Sequence, residues 1–214
     1  MRSTEMTSIY AGSGHLKIGL LGGSFNPAHA GHRQISLAAL KRLRLDQVWW
    51  LVTPQNPLKS SFHTPAAGLR LRQALKVADH PKIKITKIEE KLGLHYSADT
   101  LKALLQRFRN YHFIWLMGAD NLIQISSWHH WRDIFRQVPV AVFSRPGYSL
   151  RALSSKAAQI FRKNRITPAQ AQNWEKKMLP AWVFLRGSDN FLSSTQIRSG
   201  QAKDQVTRTE HLVI

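Results

Sequence analysis

Two histidines three residues apart, His29 and His32, stand in the run Gly22-Gly23-Ser24-Phe25-Asn26-Pro27-Ala28-His29-Ala30-Gly31-His32. Imidazoles at i, i+3 share one face of a helix's first turn, and Gly31 between them lets a ligand come close to the backbone. Such a pair can hydrogen-bond an anion and stabilise charge as it develops. A second cluster, Ser193-Ser194-Thr195-Gln196-Ile197-Arg198, offers a capping hydroxyl at Ser194 and puts Thr195 and the guanidinium of Arg198 over the same helix end. A third, Met117-Gly118-Ala119-Asp120-Asn121, carries a carboxylate that suits either ribose hydroxyls or a helix cap. Trp128, further on, offers a ring for stacking on a flat ligand or for anchoring the core.

These groups need elements to hold them. Residues 16–21 read as a short buried strand, and residues 30–45 as a helix with Ile35, Leu37, Ala38, Ala39 and Leu40 in its apolar pattern. A strand that breaks at glycines and restarts as a helix presents free backbone N–H groups and the positive end of the helix dipole to an anion. Further strands are expected at Gln47–Val52, 82–88, 112–117, Val140–Phe143 and 181–185. Helices are expected at 66–78, 97–109 and 149–165, the last of them basic, with a short one near Ser194. This alternation predicts an α/β, Rossmann-like, doubly wound parallel sheet in a single domain. Ligands then bind beyond the carboxyl ends of the strands, where strand order reverses. Residues 1–15 read as a disordered leader, 16–200 as the domain and 201–214 as a polar tail.

Composition narrows the chemistry. The 214 residues include no cysteine, which excludes thiolate nucleophiles, disulfides and cysteine-bound zinc. No stretch approaches the ~20 apolar residues of a membrane span, and residues 1–15 lack the apolar core of a secretory signal, so a cytoplasmic protein is expected. Lysine and arginine number 31 against 12 acidic residues, a net charge of +19. That excess suits polyanionic small molecules or nucleic acid, or is a solvated surface. The basic residues are spread over several helices, Arg70, Arg72 and Lys76 among them, and no aromatic–basic reader motif accompanies them, so nucleic acid is not expected. His129 and Asp133 have a possible ligand spacing, with His130, His112 or His95 as partners, but no HExxH pattern supports a metal site. A P-loop is absent.

The HxGH element His29-Ala30-Gly31-His32 resembles the signature of the nucleotidylyltransferase superfamily, and the longer string GGSFNPxHxGH resembles the bacterial nicotinate-nucleotide adenylyltransferases within it. The segment from Leu192 to Arg198 is similar to that family's ISSTxIR motif, with leucine in place of isoleucine. The likeness spans about residues 16–200; the leader is longer than the family needs, and the tail lacks an apolar closing helix. The resemblance implies transfer of AMP from ATP to nicotinate mononucleotide, giving nicotinate adenine dinucleotide and pyrophosphate, with Mg2+ on the triphosphate. It implies that His32 meets the α-phosphate and the transition state, His29 the neighbouring phosphates, and Arg198 with Ser194 and Thr195 the β and γ phosphates. Gly22, Gly23, Ser24 and Phe25 would line the ATP site, with Arg145 beside the adenine. Asn26, Lys59 of the proline-rich loop, Ser97, Asp120 and Trp128 would contact the mononucleotide. Ser97, Lys59 and Arg145 have ordinary alternatives, as a helix N-cap, a solvated loop lysine and a solvated loop arginine. Sister enzymes acting on phosphopantetheine or nicotinamide mononucleotide share HxGH, so Asp120, Trp128 and Ser97 must discriminate among them.

Overall fold

Apolar runs make the strands β1 (Lys17–Gly23), β2 (Gln47–Val52), β3 (Ile83–Thr86), β4 (His112–Gly118), β5 (Val140–Phe143) and β7 (Trp182–Leu185), joined by a two-residue β6 (Arg165–Ile166). In the computed structural model, which describes residues 15–53 and 67–186, they form one sheet in the order β3-β2-β1-β4-β5-β7-β6. Every pairing among them is parallel. Strand order reverses between β1 and β4, the position at which such sheets open a crevice for ligands.

Parallel neighbours need crossovers, here built from α1 (Ala30–Arg42), α2 (Ala67–Ala78), α3 (Ile88–Leu92), α4 (Ser97–Arg107), α5 (Ala119–Gln124), α6 (Trp131–Gln137), α7 (Ser149–Leu153) and α8 (Lys156–Ile160). Successive strand residues face opposite ways, so the adjacent Trp49 and Trp50 serve different cores. Trp49 packs with Leu20, Trp115 and Val142 under α4 to α8. Trp50 packs with Leu21, Ile114 and Ala141 under α1 and α2. With both faces covered, the sheet is the doubly wound α/β arrangement expected.

Several boundaries differ from expectation. β1 does not break at the glycines: Gly22 and Gly23 stay paired with Leu51 and Val52 of β2. Gly22 serves packing there, since a Cβ would stand 2.6 Å from the Trp115 ring of β4. The 82–88 strand ends early because the Thr86 hydroxyl accepts the Ile88 N–H at 3.1 Å and turns the chain into α3. The helix from 97 stops at Arg107, and the one from 30 at Arg42. The basic helix expected over 149–165 is instead α7, α8, a 3-10 turn (Arg162–Asn164) and β6; Ser155 accepts the Ala158 N–H and starts α8 afresh. A further 3-10 segment, Gln170–Lys176, carries the buried Trp174 and has no counterpart in the expected elements.

Candidate active site

Between the end of β1 and the start of α1 the chain makes a tight turn. Phe25 takes a left-handed backbone with φ 46° and stacks its buried ring on Trp50 at 4.9 Å. His29 is the N-cap of α1, and its Nδ1 accepts the Gly31 N–H at 3.1 Å. His32 reciprocates, its Nδ1 accepting the His29 N–H at 3.2 Å. Two imidazoles thus form the reciprocal capping arrangement usually made by Ser or Thr with Glu. Trp50 Nε1 donates to Ser36 Oγ, and Ser36 Oγ donates to the His32 carbonyl, both at 2.8 Å, pinning the first turn to the sheet.

This capping has a chemical consequence. A neutral imidazole that accepts at Nδ1 carries its proton on Nε2, so both rings present an Nε2–H donor. Burial first, and then the Arg145 charge, lowers the His29 pKa to about 4. His32 is held well below its usual value by burial, by His29 and by Arg145, outweighing a backbone hydrogen bond that raises it. Both rings are therefore uncharged donors at neutral pH, with centroids 3.9 Å apart. The Nε2 of His29 is buried and has no hydrogen-bond partner among the described residues. Leaving such a donor unpaired costs about 1–3 kcal/mol, which a ligand oxygen would recover. The anion site expected from free helix amides is built differently: the Gly31 and His32 N–H groups are already taken, by the His29 ring and by its carbonyl at 3.0 Å.

The exits of β4 and β5 meet beside these rings. Asp120 lies in the first turn of α5 and is not its cap; Gly118 takes that position. Its Oδ1 stands 3.2 Å from Nε of Arg145, close enough to pair as ions though not aligned as a hydrogen bond. Arg145 is accordingly only 7% exposed, not a solvated loop arginine. Gly118 makes the room: a Cβ there would stand 2.4 Å from Asp120 Oδ1 and 2.7 Å from Arg145 Nε.

Ser97 is the first helical residue of α4, half-buried, and the N-cap is Tyr96, which makes no side-chain capping bond. Trp128 is half-buried against the core. The rings of Tyr96 and His129 pack at 4.3 Å and bring these two segments together. His130 and Asp133 approach to 3.6 Å, but no group of three potential ligands occurs among the described residues. Trp131, three residues after Trp128, packs into the core at 8% exposure. Gly22, Gly23, Ser24 and Asn26 lie along the β1 exit and the turn. Lys59, Ser194, Thr195 and Arg198 lie outside the described residues.

Two buried charges escaped the sequence reading. Arg70, grouped there with surface bases, is 1% exposed, and its Nη1 donates to the carbonyls of Ser24 at 2.6 Å and Thr53 at 2.8 Å. The available signal was its place on the buried face of α2, in line with Ala74 and Ala78. Glu89 is 3% exposed; its Oε1 accepts from the Thr100 hydroxyl at 3.1 Å, the Thr53 side chain lies close enough to favour its charged form, and its Oε2 has no hydrogen-bond partner among the described residues. Burial raises its pKa despite both neighbours. Nothing in its local sequence marks it.

Residues 20–200 match the family model described as cytidylyltransferase-like. A curated relative from Bradyrhizobium sp. (strain ORS 278), named "Probable nicotinate-nucleotide adenylyltransferase", is 49% identical over 184 residues, covering 86% of this chain and 96% of that one. A relative of the same name from Brucella suis biovar 1 (strain 1330) is 43% identical over 188 residues, covering 88% and 97%. Two solved structures of Plasmodium falciparum nicotinic acid mononucleotide adenylyltransferase, complexed with APC and with NaAD, align with TM-scores of 0.62 and 0.64 at 16% and 17% identity. Each match covers 86% of this chain and 83% of the other; at that identity the likeness is one of fold.

Proposed function

The chain belongs to the cytidylyltransferase-like family and, within it, to the nicotinate-nucleotide adenylyltransferases, and from that premise we propose that it transfers AMP from ATP to nicotinate mononucleotide. The products are nicotinate adenine dinucleotide and pyrophosphate. The nucleophile is the mononucleotide's 5′-phosphate oxygen, already anionic at neutral pH, so its in-line attack on the α-phosphorus needs no strong base. The O–P bond to the mononucleotide forms as the bond to pyrophosphate breaks. Catalysis is then positioning plus stabilisation of charge on the equatorial oxygens.

The observation that carries this reading is the pair of neutral imidazoles with Nδ1 occupied by the backbone and Nε2–H left to donate, that of His29 buried and unsatisfied. His32 donates to the α-phosphate as its charge grows, and His29 to a neighbouring phosphate. We assign Arg198, Ser194 and Thr195 to the β and γ phosphates, and Gly22, Gly23, Ser24, Phe25 and Arg145 to the rest of the ATP site. Asn26, Lys59, Ser97, Asp120 and Trp128 are assigned to the mononucleotide. For Arg145 to reach an adenine, its pairing with Asp120 would have to rearrange on binding. Mg2+, when bound, would be held by the triphosphate oxygens and water, the hard ligands it prefers, and would supply charge neutralisation to the leaving pyrophosphate. No cluster of three ligand side chains among the described residues competes for it.

We assign the catalytic unit to residues 16–200, supported by the family match over 20–200. No helix among the described residues is long and apolar enough to cross a membrane. We assign the enzyme to the cytoplasm on its proposed biosynthetic role alone. The decisive assay offers ATP with nicotinate mononucleotide, nicotinamide mononucleotide and phosphopantetheine in parallel and follows pyrophosphate release. The nicotinate substrate is expected to turn over with the highest kcat/KM; preference for either other acceptor would refute the assignment.

A further inference from the structure

Thr53, the residue after β2, engages its neighbours through both backbone and side chain. Its N–H donates to the Gly23 carbonyl at 3.1 Å, tying the exits of β1 and β2 together. Its carbonyl accepts from Arg70 at 2.8 Å, and its side chain lies close enough to Glu89 to favour the charged carboxylate. The two charged residues come from opposite faces of the sheet: Arg70 from α2, whose Ala74 packs in one core, and Glu89 from α3, whose Ile88 packs in the other. Each also reaches beyond Thr53. Arg70 holds the Ser24 carbonyl in the turn before His29. Glu89 accepts from Thr100, whose hydroxyl also donates to the Tyr96 carbonyl at 3.1 Å in the first turn of α4.

We propose that Arg70, Thr53 and Glu89 form a buried strut that sets the distance between the β1–α1 turn and the first turn of α4, and so aligns the two substrates for in-line transfer. The labels for its two ends rest on the function proposed above: ATP phosphates at the turn, mononucleotide at Ser97. All three are positioning residues that act through the turn and the helix they hold. Apolar side chains of similar volume would fill this space with less desolvation. What buried polar groups bonded to one another add is a preferred arrangement, kept here although Glu89 Oε2 has no hydrogen-bond partner among the described residues, and an adenylyl transfer whose reacting atoms come from two separately bound nucleotides depends on that arrangement.

Two readouts test the strut, in the full-length protein. In the unliganded state, E89Q and T53V are expected to speed amide hydrogen exchange about tenfold in the first turn of α4 while leaving β4 and β5 unchanged. Unaltered exchange there, or acceleration spread across the whole sheet, overturns the proposal. With substrates, E89Q is expected to raise KM for nicotinate mononucleotide about tenfold with KM for ATP within about twofold. R70K should chiefly lower kcat, since it loosens the turn before His29. Parallel rises in both KM values, matched to a fall in Tm, would indicate a merely structural network and overturn it. A wild-type protein inactive on these substrates would instead refute the proposed function, and the exchange measurement would still decide the strut.

Discussion

An imidazole that accepts a backbone N–H at one nitrogen has its tautomer set by the backbone and its other nitrogen left to donate. The Gly31 N–H does this for His29 and the His29 N–H for His32, and burial keeps both uncharged. His32→Ala is expected to lower kcat by about 10²–10⁴-fold with a smaller effect on KM, the size of losing one transition-state donor; steady-state kinetics on the purified variant check it. Trp128→Ala should weaken the mononucleotide while sparing ATP, and equal losses would favour a sister substrate. The same residues make stability depend on pH. An unfolded histidine has its ordinary pKa of about 6.5, whereas burial lowers that of folded His29 to about 4, so between these values the unfolded chain binds more protons. The stabilisation is complete above about pH 6.5 and is lost as pH falls toward 4, at about 1.4 kcal/mol per unit. His32 adds to it in the same direction. Urea midpoints measured from pH 7 to 4.5 should fall, and fall less steeply in His29→Gln; parallel slopes would mean that this ring does not titrate as described.

At the scale of elements, the site depends on how closely strands approach one another. Gly22 lies in the sheet against the Trp115 ring, and a Cβ there would stand 2.6 Å from it. Trp115 is 1% exposed and has nowhere to retreat, so Gly22→Ala is expected to cost about 1–3 kcal/mol, an overpacking penalty, read as a lowered Tm or urea midpoint. The glycine pair looks in sequence like a break that frees amides for an anion. It is a point of close packing, and the turn begins only at Ser24, where Arg70 holds the carbonyl. The 149–165 segment shows a related ambiguity. Its basic, helix-favouring residues read as one helix, but Ser155 captures a backbone N–H and starts a second. Local hydroxyl competition of this kind is visible as residue type but not as outcome.

Over the whole molecule, the excess of positive charge suits two polyanionic substrates better than any localised nucleic-acid arm. Raising ionic strength from about 0.05 to 0.5 M is expected to lower kcat/KM several-fold, as screening removes long-range attraction. A salt-independent kcat/KM would assign the charge to solvation alone. The alternation of apolar runs with helical ones already specified a parallel sheet covered on both faces, because parallel strands require crossovers and crossovers cover the faces. The HxGH run likewise specified which side chains stand at the first strand's exit, because spacing along one short segment survives folding. Where Arg145 and Asp120 point, and that Arg70 and Glu89 are buried at all, depended on chain segments far apart in sequence meeting at the strand ends. Burial and the pairing of charges are properties of neighbours, and neighbours across a sheet exist only once the chain has folded.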